Sequence, residues 1–203
     1  MSTQYPFFVE FTGSPESGKT TTIKTIYERL INEGLKVKYI RESAEIVYEN
    51  TSIPKSSYEA HLSMRLITIT HIIEAKYEDY DVVLVDRGII DGIFYTVRWF
   101  REASDSFLKS VDLIQLLKGL QDIINPDLLF VFKVDAETAI KRKGHEGAIV
   151  NVKSMNDFNR LLDDFVKDLK IPLNVIDTST LAPNVVSEEV FRFILSSVKN
   201  ERS

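Results

Sequence analysis

Short apolar runs alternate with longer amphipathic stretches along most of the chain. The apolar runs at 7–13, 36–42, 81–87, 128–135 and 174–178 predict β-strands. Several of them show little alternation between apolar and polar residues, which is typical of strands that helices cover on both faces of a parallel sheet. The pattern therefore predicts buried parallel strands separated by helical crossovers.

The stretches between the strands have the apolar spacing of helices. One helix is expected over 19–33, where Ile23, Ile26 and Leu30 fall on one stripe. Further helices are expected from Ser56 to about Asp79, at 91–103, at 111–124, and from Ser154 and Ser187 onward. Because strand and helix alternate throughout, the sequence predicts a three-layer, doubly wound α/β fold that forms one domain over residues 1–203. Ligands of such sheets bind beyond the carboxyl ends of the strands.

Composition narrows the classes of function. The 203 residues include no cysteine and three scattered histidines, which excludes disulfides, thiolate metal sites and cysteine catalysis. The net charge of −5 argues against a nucleic-acid partner. No apolar run reaches the roughly 18 residues of a membrane span, and the first residues lack the pattern of a signal peptide. We expect a cytoplasmic protein without a membrane partner, and the sequence is compatible with a homodimer.

A glycine-rich loop follows the first predicted strand. Residues 13–20, GSPESGKT, fit the pattern G-x-x-x-x-G-K-[ST] of a phosphate-binding loop, or P-loop. Its glycines let backbone N–H groups wrap a phosphate, and the following helix directs its positive N-terminus at the same anion. Lys19 is expected to bridge the β- and γ-phosphates of ATP, and the Thr20 hydroxyl to hold Mg²⁺. The residues predicted to bind ATP here are Gly13, Ser14, Pro15, Glu16, Ser17, Gly18, Lys19, Thr20 and Thr21.

The third predicted strand ends in an acid and an arginine. Asp86 is expected to reach Mg²⁺ directly or through water, and Arg87 to clamp phosphate oxygens at the reacting centre. A strand-terminal ion pair is the alternative interpretation of this dipeptide. Asp91, on the next turn, either faces the acceptor or caps a helix.

A second charged pair, Arg41 and Glu42, follows the second predicted strand. Glu42 is a candidate general base or a residue that positions the substrate, and Arg41 is a candidate contact for an anion. Alternatively, both are solvated loop residues, as most such charges are.

The order of these motifs resembles that of the thymidylate kinase and deoxynucleoside kinase group of P-loop kinases, and of related ATPases that carry D-R-G-x-x-D. The likeness extends to PDLLFVFKVDAETAIKRK at 126–143 and NVIDTS at 174–179. The resemblance implies a five-stranded parallel sheet in the order 2-3-1-4-5, with ATP and Mg²⁺ as cofactors. It also implies a basic lid around 141–153. In that lid Arg142 lies against the adenine or the phosphates, and the backbone of Asp177 and Thr178 touches the adenine.

Two features depart from that group. Ser43-Ala44-Glu45 stands where thymidylate kinases carry a Pro-Gly-Gly turn. The group also has a catalytic arginine in the P-loop or further along the lid, and neither stretch supplies one here. Lys143, His145 or Arg160 takes its place, or this cation is absent.

The acceptor pocket of such a fold is expected between the helices at 57–79 and 91–103. Its polar candidates are Arg65, Tyr95, Arg98 and Arg101. We predict an ATP–Mg-dependent kinase that transfers the γ-phosphoryl group to a small acceptor, a nucleotide or a nucleoside. One alternative is an enzyme of the deoxynucleoside kinase type that acts on a free hydroxyl. Another is a nucleotide-binding regulatory ATPase.

Overall fold

A computed structural model describes residues 5–55, 57–102 and 107–201. Within these ranges the chain forms a five-stranded parallel sheet in the order β2-β3-β1-β4-β5, which confirms the expected fold. Each strand starts within one residue of its predicted start. The strands are β1 (Phe7–Gly13), β2 (Val37–Ile40), β3 (Val82–Asp86), β4 (Leu128–Lys133) and β5 (Leu173–Asp177).

Helices cover both faces of this sheet. None of the helices in the described ranges combines the length and apolar character that crossing a membrane requires. The helices are α1 (Lys19–Asn32), α2 (Ser43–Asn50), α3 (Tyr58–Lys76), α4 (Ile89–Glu102), α5 (Phe107–Ile124), α6 (Ala136–Lys143), α7 (Val152–Lys167) and α8 (Pro183–Glu201).

The central strand β1 divides the core into two layers because its side chains alternate between the faces of the sheet. Phe7, Val9 and Phe11 pack against apolar residues of α1 and α8. Phe8 packs on the other face, against α3, α4, α5 and α7. Since both faces are covered, β1 is buried along its whole length, as the continuous apolar run predicted.

Three predicted helix starts are displaced, and the first is that of α5, which begins at Phe107 instead of residue 111. The cap of α7 is Asn151, whose side chain accepts a hydrogen bond from the N–H of Ser154 at 2.9 Å, so Ser154 lies within the first turn. The helix α8 begins at Pro183, whose ring presets the helical φ. Ser187 lies inside α8 and donates its hydroxyl to the carbonyl of Pro183 at 2.8 Å. A serine whose hydroxyl bonds to the backbone inside a helix cannot be distinguished by sequence from a serine that caps a helix.

The sequence pattern missed the short helix α6 after β4, and it also missed α2, between β2 and α3. Its Val47 is fully buried, and the Ser43 hydroxyl lies 2.7 Å from that of Thr68 on α3. Contact with α3 thus stabilises α2, whose eight residues are too few for their apolar spacing to predict a helix. The N-cap of α3 is Ser57, whose hydroxyl accepts a backbone N–H at 3.1 Å, and the predicted Ser56 lies outside the described residues.

Candidate active site

The P-loop connects the carboxyl end of β1 to α1. Gly13 has a φ of 135°, and a Cβ at this position would overlap the carbonyl of Phe132 on β4. Gly18 has a φ of 85° and precedes the first turn of α1. Both positions therefore require glycine. Glu16 takes a positive φ of 59° between them, so the loop bends back over the end of the sheet.

Lys19 folds back onto this loop. Its Nζ donates to the carbonyl of Ser14 at 2.8 Å, to that of Gly13 at 3.1 Å and to the hydroxyl of Ser17 at 3.3 Å. Burial, and then the charge of Arg87, lower the pKa of Lys19 to about 7. The acceptors of Lys19 within the loop are neutral oxygens, and a phosphate bound there would place a negative charge beside its ammonium.

Asp86, at the end of β3, faces the start of α1. Its Oδ2 accepts hydrogen bonds from the Thr20 hydroxyl at 2.8 Å and the Tyr39 hydroxyl at 3.3 Å. Its Oδ1 is buried and has no hydrogen-bond partner among the described residues. Burial and the carboxylate of Asp86 raise the pKa of Tyr39, which keeps this hydroxyl a donor.

The oxygens of Thr20 and Asp86 fit the preference of Mg²⁺ for hard ligands. In the described part of the chain, no group of three or more acidic, histidine or cysteine residues could form a metal cage. A Mg²⁺ ion usually binds through one or two protein oxygens together with substrate phosphates, so this pair is sufficient.

Arg87 lies at the centre of a buried network of charges. Its φ is 63°, so its side chain leaves β3 in an uncommon direction. Its Nε lies 3.0 Å from Oε1 of Glu42 without hydrogen-bond alignment, and its Nη1 lies 3.5 Å from Oδ1 of Asp91. Its guanidinium stacks over the ring of Tyr95 at 4.9 Å. Burial raises the pKa of Glu42, and Arg87 opposes that rise.

Asp91 is completely buried and is shared by several partners. The Thr12 hydroxyl donates to its Oδ1 at 2.6 Å, and Nη1 of Arg65 lies 3.9 Å from its Oδ2. Burial lowers the pKa of Arg65, and Asp91 opposes that effect. Asp91 is the third residue of α4 and its carboxylate accepts from Thr12, so it does not cap the helix, but it borders the cavity described below.

Glu10 is a buried acid that sequence reasoning missed. It lies in the middle of β1 with 2% of its surface exposed, and its carboxylate accepts the N–H groups of Ile90 at 3.2 Å and Asp91 at 2.8 Å. Burial raises the pKa of Glu10 to about 8, and the charge of Asp91 adds to this rise. The available signal was an acid inside the apolar run FFVEFTG, where a charge needs a partner.

A cavity of about 650 Å³ lies between the P-loop, α2, α3, α4 and the segment after α6. Its wall includes five cationic residues: Lys55, Arg65, Arg87, Arg98 and Lys143. Its acidic residues are Glu16, Glu42 and Asp91. Burial and Arg65 lower the pKa of His61, also in the wall, to about 4, so its imidazole is neutral. The cavity therefore carries an excess of positive charge in a chain whose net charge is −5.

Arg142 and Thr178 meet on the other side of the P-loop. The Arg142 guanidinium donates to the Thr178 carbonyl at 2.6 Å, to the Thr178 hydroxyl at 3.0 Å and to the Glu16 carbonyl at 3.0 Å. The Thr178 hydroxyl in turn donates to the Ser17 carbonyl at 3.0 Å. Asp177 accepts the N–H of Ser179 at 2.9 Å and so shapes the turn after β5.

The structure brings most predicted site residues together and separates one from them. Tyr95 and Arg98 border the cavity, and Arg98 stacks over the ring of Phe158 at 4.9 Å. Arg41 is exposed and does not border the cavity. An additional P-loop contact comes from Asn159 on α7, which accepts the Ser14 hydroxyl at 2.5 Å, and no local sequence signal indicates it.

A sequence model of the thymidylate kinase family matches residues 11–190. The chain belongs to the thymidylate kinase family. This span includes the P-loop, the Asp86-Arg87 pair and the turn after β5. The chain is therefore a nucleotide kinase-type phosphotransferase that uses ATP, as the sequence predicted.

Relatives in this family resemble the chain along most of its length. The thymidylate kinase of Orientia tsutsugamushi (strain Ikeda) is 24% identical, over 95% of this chain and 94% of the relative. The thymidylate kinase of Rickettsia typhi (strain ATCC VR-144 / Wilmington) is 26% identical, over 80% of this chain and 78% of the relative.

The fold of this chain is also found in solved structures of other kinases. A deoxyadenosine kinase from M. mycoides with bound dATP has a TM-score of 0.68 and 17% identity, over 92% of this chain and 98% of that chain. A thymidylate kinase from Candida albicans has a TM-score of 0.59 and 18% identity, over 95% and 92% of the two chains. At these identities the likeness supports the fold alone.

The raised pKa of Glu10 predicts a pH dependence of stability. Folded Glu10 has a pKa of about 8 and the unfolded value is 4.5, so between these values the folded state binds more protons. The contribution of Glu10 to the free energy of unfolding is therefore largest below the unfolded value and falls as the pH rises toward 8. Urea unfolding at pH 6 and pH 8.5 should show wild type losing stability relative to Glu10→Gln. A pH-independent difference between the two proteins would contradict the assigned shift.

Proposed function

We propose that this enzyme transfers the γ-phosphoryl group of ATP to a nucleoside monophosphate, with thymidylate as the first acceptor to test. The observation that carries the proposal is the cationic cavity beside the P-loop. An acceptor that brings its own phosphate needs positive charge around it, whereas an uncharged nucleoside does not. The names of the relatives support the same acceptor class.

The donor side of the proposed reaction uses the P-loop. Lys19 and the backbone N–H groups of the loop would hold the β- and γ-phosphates, and Thr20 with Asp86 would hold Mg²⁺. A Mg²⁺ ion held by these residues would neutralise the charge that develops on the phosphates. Arg142 and the backbone of Thr178 would border the nucleoside of ATP, with the segment around 141–153 as a lid.

The acceptor side uses the arginines of the cavity. Arg87, Arg65 and Arg98 would bind the acceptor phosphate and orient one of its oxygens toward the γ-phosphorus. The oxygen that attacks is already anionic at neutral pH, so no general base is required. The pairing of Glu42 with Arg87 supports a positioning role for this carboxylate rather than proton abstraction.

Lys143 is our candidate for the cation that other members carry as an arginine. His145 is exposed and lies outside the cavity wall, and Arg160 is 73% exposed and pairs with Asp157 at 3.1 Å. Lys143 borders the same cavity as Glu16 of the P-loop, and no carboxylate within the described ranges forms an ion pair with it. Its ammonium can therefore serve a transferring phosphoryl group.

The acceptor assignment is tested by direct phosphoryl transfer. Wild-type enzyme with ATP and Mg²⁺ should convert thymidylate, or another monophosphate in a panel, to its diphosphate and leave the matching nucleosides unchanged. Lys19→Ala should abolish this turnover without altering the melting temperature, because Lys19 bonds only within the loop. Product from nucleosides alone would favour a hydroxyl kinase. ATP hydrolysis without any phosphorylated acceptor would favour a regulatory ATPase.

Asp86→Asn tests the magnesium site. The Mg²⁺ concentration for half-maximal rate should rise, on the order of 10–100-fold. Nucleotide affinity in EDTA should stay as in wild type. Tyr39→Phe is the matched control, since it removes a second hydrogen bond to the same carboxylate without removing a ligand. A Mg²⁺ requirement that Asp86→Asn leaves unchanged would rule out this role.

Glu42→Gln separates positioning from general-base catalysis. With a monophosphate acceptor the variant should lose far less than the roughly 10²–10⁴-fold that general-base help contributes. Glu45→Gln, in the first turn of the helix that Glu42 precedes, is the control, because Glu45 is exposed and outside the cavity wall. A loss within the general-base range in single-turnover transfer would assign the base to Glu42.

Lys143→Ala tests the proposed cation. Its kcat should fall on the order of 10²-fold, less than the 10³–10⁵-fold that an arginine finger supplies, with little change in the KM for ATP. Lys143→Arg should retain most of the rate. Lys141→Ala, an exposed neighbour on α6, should behave as wild type. Equal rates for the two alanine variants would remove Lys143 from the reaction.

A further inference from the structure

We propose that Glu10 is a positioning residue for phosphoryl transfer, because it fixes the N-terminus of α4, and Asp91 with it, relative to the P-loop. The inference rests on the proposed function in one respect, since Asp91 and the arginines around it are taken as the acceptor side. Glu10 itself does not border the cavity, so it acts through other residues.

The position of Glu10 on β1 couples the two halves of the site. Glu10 and Thr12 alternate with the residues of the α1–α8 layer, so both side chains project toward α4. Gly13, the next residue, begins the P-loop. Glu10 and Thr12 therefore connect β1, the strand that ends in the P-loop, to α4, the helix that forms part of the proposed acceptor side of the cavity.

The contact is an N-terminal cap supplied from a distant strand. The first N–H groups of a helix have no partner within the helix, and the positive end of its dipole attracts an anion. Both carboxylate oxygens of Glu10 are used, one by Ile90 and one by Asp91. Gly88 makes the approach feasible, because a Cβ there would lie 2.5 Å from Oε2 of Glu10.

Glu10 influences the cavity through one residue, Asp91. Glu10 holds the backbone of Asp91, and Thr12 holds its carboxylate at 2.6 Å. Asp91 then faces Arg87 and Arg65, both of which border the cavity. Displacing the first turn of α4 would move both arginines relative to the P-loop. A misplacement of about 1 Å at a reacting centre costs on the order of 10²-fold in rate.

A buried carboxyl group at position 10 is costly for stability alone, whether it is ionised or protonated. A buried carboxylate loses its hydration, and its hydrogen bonds only partly offset that loss. An apolar side chain would suit the surroundings, since Phe8 precedes it on the same face of β1. An apolar residue could not accept hydrogen bonds from two backbone N–H groups of α4, so it could not fix the position of this helix relative to β1.

The kinetic test uses Glu10→Gln, which keeps the shape but replaces one acceptor oxygen with an amino group. We expect kcat for monophosphate phosphorylation to fall on the order of 10²-fold, with the KM for ATP little changed. The matched control is Asp127→Asn. Asp127 accepts the N–H of Phe8 at 2.7 Å near the opposite end of β1, far from the site. This control should lose stability but keep the kcat of wild type.

A second variant and a second measurement keep the test decisive. Glu10→Asp retains the carboxyl group but is one methylene too short to reach both N–H groups. It should therefore show the same loss of kcat if Glu10→Gln does not fold. Hydrogen exchange at the amides of Ile90 and Asp91 should accelerate in either Glu10 variant and not in Asp127→Asn. This readout needs no acceptor, so it stands even if the acceptor assignment fails. Wild-type kcat in a folded Glu10 variant, or unchanged exchange at these amides, would overturn the proposal.

Discussion

The parallel pairing of β1 with β3 is the constraint on which the site depends. In its register Phe11 lies beside Asp86, so the chain that turns into the P-loop leaves the sheet next to the carboxylate of the neighbouring strand. Thr20 is the second residue of α1, and its hydroxyl then reaches Asp86 at 2.8 Å. The same pairing sets Glu10 beside Val85, from which β3 continues toward α4. A shift of one residue in the register of β1 against β3 would turn the side chains that face α4 to the other side of the sheet. The carboxylates and hydroxyls named here would then no longer meet.

The charges around Arg87 illustrate how this sheet end tolerates buried ions. Arg87, Arg65, Asp91 and Glu42 are largely removed from water, and each cation lies near a carboxylate. Such networks contribute little to stability compared with apolar packing, but removing one member leaves its partner buried without compensation. Under the proposed function, their arrangement serves to position a charged ligand. The apolar layers on each face of the sheet supply the stability that the network does not.

The sequence predicted the features that local patterns encode. The strands were visible as apolar runs, and the P-loop was visible because glycine, lysine and threonine lie within eight residues of one another. The contacts of Glu10 with Asp91, and of Ser14 with Asn159, join residues 81 and 145 positions apart. Only the sheet order brings them together, so no local pattern indicates them. The helix α2 was missed for a related reason, since its buried face exists only against α3.

The lowered pKa of Lys19 has a consequence for the empty enzyme. Near neutral pH an unliganded P-loop carries its lysine only partly protonated, which limits repulsion between this ammonium and Arg87. Anionic phosphates restore the preference for the charged form, so filling the loop draws a proton from solvent. Nucleotide binding and proton uptake are then a single linked equilibrium. On this basis we expect the affinity for ATP to weaken as the solution becomes more alkaline.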